Sequence, residues 1–409
     1  MLPFESLPSS KPTEGFGHLA GVRVIDLTTS IAGPYATQLL ADFGATVIKV
    51  EKPLVGDDAR HWGPPFLEGE SLWFMSVNRN KQSLALDIAS PQGAALLRQL
   101  AAQADVLVVN MTPRVQSKLG ISYNELSKEL PGLIHASLTG FGLEGPRKDL
   151  ACYDLIAEGY AGIMDLTGET DSAAQKVGTP AADLLAGQDL ALSIMACLYQ
   201  KNQTGVGGCI DVSMVNSMTR FAAPRIMSYL GSGNVPRRSG GTDSVIAIYQ
   251  VFETADLPIS LGLGNDAIWK RFWVAIGDPA FAEKPEYTTN ASRCEHRETI
   301  VKCISDVLQK KPRSYWLDLF AKNRVPAGPI NQVDEITQDP EMLANGFFQR
   351  VDDDRRAIPQ VGLGIAINQN ANVIRSLPPT LGEHTGTLLQ QLGIPEEEQQ
   401  KLREAGVIS

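Results

Sequence analysis

Asp183 is the residue of this chain best placed to do chemistry. It stands in Gly178-Thr179-Pro180-Ala181-Ala182-Asp183-Leu184-Leu185-Ala186-Gly187, where a long apolar helix begins. A carboxylate is a weak nucleophile in water, but at a dehydrated helix start it could attack a thioester and carry an acyl group. The segment also has a plain structural reading. Thr179 followed by Pro180 fits an N-cap and first helical residue, and an acid in the next turn complements the helix dipole.

Other chemistries are poorly served. The five histidines (His18, His61, His135, His296, His384) form no HxxxH or HExxH pattern, so no dedicated metal site is expected. His135 lies in an apolar strand-like run and reads as an interior residue. The five cysteines (Cys152, Cys197, Cys209, Cys294, Cys303) show no CxxC spacing and cannot all pair, which suggests free thiols in a reducing compartment. G-x-G-x-x-G is absent after the first strand, as is GxxxxGK[ST], so dinucleotide and P-loop readings fail.

The elements that would position Asp183 alternate in type. Strand-like runs at 22–27, 46–51, 83–88, 105–110 and 133–139 are separated by helical stretches, including one opened by Pro91. Parallel crossovers of this kind build a doubly wound α/β sheet. Helices follow near 154–164 and 181–201; the second is apolar almost all round and should be deeply buried. A strand at 209–213 comes next. The Gly, Ser, Pro and Arg-rich stretch 231–241 reads as a linker or mobile loop. Antiparallel strands at 245–252 and 257–263 and helices near 267–276, 294–309 and 313–321 then mark a smaller α+β domain. The expected division is 1–225 for the first part of a large domain, 226–325 for the small one, and 326–409 for a return to the large one.

Bulk properties agree with an enzyme-sized globular protein. At 409 residues the chain exceeds one hydrophobic core; it is 43% apolar and 20% charged. A formal charge of -10 argues against nucleic acid or an anionic membrane as the main partner. No apolar run is expected to span a membrane. Residues 1–17 lack the basic and apolar regions of a signal peptide and read as a loose arm, so a cytoplasmic location is expected.

Ordered along nearly the whole chain are LAGVRVIDL at 19–27, AGPYATQLLADFGA at 32–45, VIKVEKP at 47–53, GDDAR at 56–60 and NRNKQS at 78–83. GFG at 140–142, GP at 145–146, Tyr153-Asp154, the Asp183 segment, VPAGP at 325–329 and LGEHT at 381–385 follow. With these stretches the chain resembles the class III coenzyme A transferases, the formyl-CoA transferase and carnitine CoA-transferase family. The resemblance implies a Rossmann-like large domain made from both chain ends, a small inserted domain, and two chains interlocked as a homodimer with active sites between them. It makes Asp183 the catalytic aspartate and acyl-CoA a substrate, with no cofactor permanently bound. CoA contacts implied are Ile31 and Ala32 after the first strand, Lys52 after the second, Leu86 and Ala89 after the third, and Asn110, Met111 and Thr112 after the fourth. Lys118 lies beyond, and Thr139, Gly140, Phe141 and Gly142 close the pocket.

This chain departs from the family at several points. Ala89 and Thr139 stand where some members carry lysines, which would leave the phosphate grip to Lys52 and Lys118. Glu158 occupies a position that is commonly Gln; a second carboxylate near Asp183 would raise its pKa. Ser239-Gly240-Gly241 is a weak counterpart of the family's glycine-rich loop.

The implied reaction is CoA transfer from an acyl-CoA to a carboxylic acid through covalent Asp183, with backbone N–H groups around Gly140–Gly142 steadying the oxyanions. The exchange conserves thioester energy, so it needs neither ATP nor metal. GDDARHWGPPF at 56–66 with SVNRNK at 76–81 looks especially like succinyl-CoA:dicarboxylate transferases. Arg60 or Arg79 would then hold a second carboxylate; alternatively both pin loops through backbone carbonyls. An α-methylacyl-CoA racemase would need a His-Asp pair where this chain has Tyr153-Asp154. A non-catalytic CoA-binding protein would have no need to keep Asp183.

Overall fold

Strands whose side chains are buried on both faces belong inside a parallel sheet covered by helices. The computed structural model, which describes residues 2–409, has such a sheet. Its strands are β1 (Arg23–Asp26), β2 (Thr46–Glu51), β3 (Lys81–Ala85), β4 (Val106–Val109), β5 (Ile134–Thr139) and β6 (Gly208–Ser213). All pairs are parallel, in the spatial order β3-β2-β1-β4-β5-β6. That is the expected doubly wound arrangement. The order reverses between β1 and β4, which opens a crevice beyond their carboxyl ends.

Helices cover both faces. α1 (Ala32–Asp42) follows β1, and α2 (Pro91–Ala102) starts with Pro91 behind Ser90, whose Oγ accepts the Gly93 N–H at 3.0 Å. α3 (Pro113–Leu119), α4 (Asp154–Tyr160), α5 (Ala181–Thr204) and α6 (Met214–Phe221) complete the elements near the crevice. Ile25, Leu84, Leu97, Leu107 and Leu389 meet in one cluster under the sheet. Burying each such side chain contributes about 1.5–3 kcal/mol.

α5 passes close along α1. A Cβ on Gly187 would lie 2.6 Å from the Ala32 carbonyl oxygen, so only glycine permits the approach. Contrary to expectation, α5 is not buried all round: Leu192 and Tyr199 are 63% and 71% exposed. Also contrary to expectation, α5 is long and apolar enough to cross a membrane by length and composition. Its inner face, Ala186, Leu190, Ile194 and Leu198, is buried against the rest of the unit, as in a core helix.

Two units emerge. The first comprises the chain up to Ile163, Val177–Ala223 and Gln338–Ser409; the second is Met164–Lys176 with Pro224–Thr337. The boundaries therefore differ from the expected 226 and 325. Ala327–Pro329 pairs antiparallel with Ile259–Gly262, which itself pairs with Tyr249–Phe252, so the chain stays in the second unit past Pro326. Residues 164–176 join that unit because Arg238 bonds the Ser172 carbonyl and the Asp165 carboxylate. An aromatic core fills it, with Trp273 stacked on Phe281 at 3.8 Å.

The expected loose arm is docked. Ser9–Ser10 pairs parallel with Phe348–Asp352, and Phe16 is buried beside Phe43. The adjacent cleft of about 960 Å³, lined by Ser9, Phe347, Leu363 and Asn370 among others, has no charged side chain among the described residues.

Candidate active site

Four strand ends converge on a cleft of about 290 Å³ in the first unit. Leu27, Thr29, Ser30 and Ala32 come from the β1–α1 turn, and Asn110, Met111 and Thr112 follow β4. Leu138, Thr139 and Gly140 end β5, Met214 follows β6, and Leu150–Tyr153 with Asp58 close the rim. Asp183, in the first turn of α5, points into this space. The cleft thus sits where the strand order reverses, the usual ligand position in such sheets.

The β1–α1 turn is held rigidly by buried side chains. Asp26 accepts the Thr28 N–H and hydroxyl, and Lys49 Nζ donates to the Thr28 carbonyl at 2.8 Å. Asn110 brackets Thr29, accepting its N–H at 3.2 Å and donating to its carbonyl at 2.8 Å. Asp57 accepts the Ser30 N–H at 2.9 Å and pairs with Lys49 at 2.7 Å, both fully buried. Ser30 is thereby kept at φ +70, a backbone state that non-glycine residues rarely adopt.

α5 begins at Ala181 as expected, but Thr179 is not its N-cap. Pro180 is its N-cap and offers no side-chain acceptor. Instead Asp154, the first residue of α4, reaches across: one carboxylate oxygen accepts the N–H of Ala182 at 2.8 Å and that of Asp183 at 3.4 Å. Burial, with the nearby Asp154 charge adding to it, pushes the Asp183 carboxyl up to about 7. Glu158, the carboxylate that stands where the family commonly has Gln, is fully buried and accepts the Val177 N–H at 2.9 Å. The carboxylate acting on Asp183 is Asp154. Burial, then Asp183, raises the Cys152 thiol to about 11, so it is a neutral wall of the cleft at physiological pH.

Of the expected CoA contacts, Ala32, Asn110, Met111, Thr112, Thr139 and Gly140 line the cleft together with Asp183. Ile31 is buried at the head of α1, and the Leu86 side chain lies in the apolar core. Ala89, Lys52 and Lys118 are exposed and lie off the cleft walls. Phe141 packs edge-on against Tyr160 at 4.9 Å. The Gly142 N–H donates to the Thr139 hydroxyl at 2.9 Å, so it is not free to hold an oxyanion, contrary to expectation. Gly140 must be glycine because a Cβ there would meet the Cys152 Cβ at 2.1 Å.

The two arginines expected to hold substrate do not face the cleft. Arg60 grips Glu51 through Nε and Nη2, each at 2.7 Å, donates to the Pro379 carbonyl and lies over Phe74. Arg79 is committed to Asp42 and the Val361 carbonyl. Buried guanidiniums require such partners, which is why both serve the fold. The charged side chains lining the cleft are Asp58 and Asp183. Asp154, Cys152, Asp58 and Met214 escaped the sequence reading of the site; the Tyr153-Asp154 pair was the one available signal.

Comparison with known proteins gives this cleft its context. The sequence profile described as CoA-transferase family III matches residues 19–385. A succinate–glutarate CoA-transferase of Agrobacterium fabrum is 38% identical over 395 residues, covering 94% of this chain and 97% of its own. A succinyl-CoA:glutarate CoA-transferase of Mus musculus is 36% identical over 413 residues, covering 99% and 92%. The crystal structure of a CAIB/BAIF family protein from Brucella suis superposes with a TM-score of 0.79 at 35% identity, covering 91% of this chain and 99% of its own. Matched nearly end to end in both sequence and fold, the chain belongs to CoA-transferase family III and is a CoA-transferase.

Proposed function

We propose that the enzyme moves CoA from succinyl-CoA or a similar acyl-CoA to a dicarboxylate acceptor through a covalent intermediate on Asp183. The observation that carries this is the position of the Asp183 carboxylate. It stands at a helix start inside the switch-point cleft, desolvated enough that its pKa rises to about 7. A basic, partly dehydrated carboxylate is a better nucleophile than a solvated one.

Asp183 attacks the thioester carbonyl; the C–S bond breaks, and the electron pair leaves on the CoA sulfur. The thiolate then attacks the aspartyl carbonyl of the mixed anhydride, releasing the donor acid and leaving CoA as an aspartyl thioester. The acceptor carboxylate attacks that thioester and expels CoA thiolate, forming a new anhydride. Attack of the thiolate on the acceptor's acyl carbon releases acyl-CoA and regenerates the Asp183 carboxylate. Cys152 does not compete, because its thiol stays protonated at neutral pH.

The dicarboxylate choice is supported by the names of relatives that act on succinate and glutarate. A panel of acyl-CoA donors against mono- and dicarboxylates tests it. Succinyl-CoA with a dicarboxylate is expected to give the highest kcat/KM; equal use of monocarboxylates would remove the dicarboxylate reading. A homodimer belongs to the same proposal, supported by the exposed apolar side chains Leu155, Ile156, Tyr160, Leu192, Tyr199 and Phe221 of the first unit. A monomeric mass by light scattering would contradict it.

A further inference from the structure

The start of α5 lacks a cap of its own, and the group that replaces it is a carboxylate beside the nucleophile. A neutral acceptor would have served the N–H groups equally well. We propose that Asp154 is a positioning residue for Asp183. One of its oxygens fixes the main chain of the nucleophile's turn, while its negative charge makes Asp183 a strained anion that is relieved on acylation. This rests on the covalent reading of Asp183.

The argument is electrostatic and geometric. A helix N-terminus normally stabilises an anion in its first turn, which would make Asp183 a weaker base. Asp154 occupies that favourable field itself, through the N–H groups of Ala182 and Asp183. Among the described residues, the other titratable groups lining the cleft are Tyr153, Cys152 and Asp58, and none supplies a compensating cation. When Asp183 becomes an anhydride, its charge departs with the CoA sulfur, and repulsion with Asp154 ends. The carboxylate pair therefore raises the ground state of the free nucleophile more than that of the acylated enzyme.

Asp154→Asn keeps an oxygen for the helix N–H groups and removes the charge. The ionised nucleophile is then less basic and slower, but it is ionised over a wider pH range. Exchange of labelled succinate into succinyl-CoA is measured from pH 6 to 9 for the wild type, Asp154→Asn and Asp154→Glu. The ratio of Asp154→Asn to wild-type kcat is expected to rise by roughly threefold or more as pH falls, with KM for succinyl-CoA changed by less than about twofold. Asp154→Glu, which keeps the charge, should retain the wild-type acid midpoint. For a variant too slow to assay, carbodiimide labelling of Asp183 against pH reports the same midpoint in folded protein. A midpoint and rate ratio unchanged by Asp154→Asn would overturn the inference. Exchange by Asp183→Ala would instead overturn the covalent reading, so the two failures are distinct.

Discussion

Arg79 holds Asp42 by two parallel hydrogen bonds, Nε to Oδ1 at 2.9 Å and Nη2 to Oδ2 at 2.7 Å, with both side chains withdrawn from solvent. The same carboxylate accepts from Asn80 at 2.7 Å, and Asn80 also donates to the Val373 carbonyl at 2.8 Å. The NRNK motif thereby ties the returning C-terminal segment to the sheet. Truncating one partner leaves an uncompensated buried charge, at about 3–5 kcal/mol. Arg79→Ala is expected to lower stability by that order in urea melts. Dicarboxylate KM in the folded fraction should be unchanged, whereas a selective rise would restore the arginine to the site.

Gly187 lets α5 approach α1, and α5 carries the nucleophile four residues earlier in the chain. Gly187→Val inserts a branched side chain where a Cβ already meets the Ala32 carbonyl. Overpacking of this kind costs about 1–3 kcal/mol and displaces backbone. The expected outcome is a lower melting temperature together with a fall in kcat of roughly tenfold or more, since small displacements of reacting groups are costly. Wild-type kcat in the variant would show that the helix contact does not position Asp183.

Asp183 also links stability to pH. Its folded pKa of about 7 lies above the ordinary 3.8, mainly through burial. The folded state therefore binds the extra proton between these values. Its contribution is fully present below about pH 4 and is lost as pH rises through 7. Asp183→Asn removes this penalty, so it should be more stable than the wild type at pH 8, by up to about 4 kcal/mol, with the gap shrinking toward pH 4. Denaturant melts at the two pH values check the sign.

What could be read from the residues depended on how local the cause was. β1, β2, β4 and β5 were visible because a doubly wound sheet hides both strand faces, which leaves short runs rich in β-branched and other apolar residues. Much of the cleft was legible through the family resemblance, which implied Ala32, Asn110–Thr112 and Thr139-Gly140 at strand ends that a doubly wound topology also singles out. Partnerships between distant side chains were not. Nothing near Arg79 announces Asp42, 37 positions away, and Asp154 caps a helix 28 positions downstream. The docking of Ser9–Ser10 on Phe348–Asp352 spans most of the chain, and a two-residue strand has no periodicity to betray it. The exposed face of α5 differs again: Leu192 read as core because hydrophobicity alone does not say what covers a face.

The most direct test is to incubate the enzyme with succinyl-CoA, quench, digest, and weigh the peptide that contains Asp183. A mass gain equal to CoA bound as a thioester, lost on treatment with hydroxylamine and absent in Asp183→Ala, is the result expected. Full transfer activity with that peptide unmodified, or with the adduct on another residue, would contradict the assignment of Asp183 as the group that carries the acyl exchange.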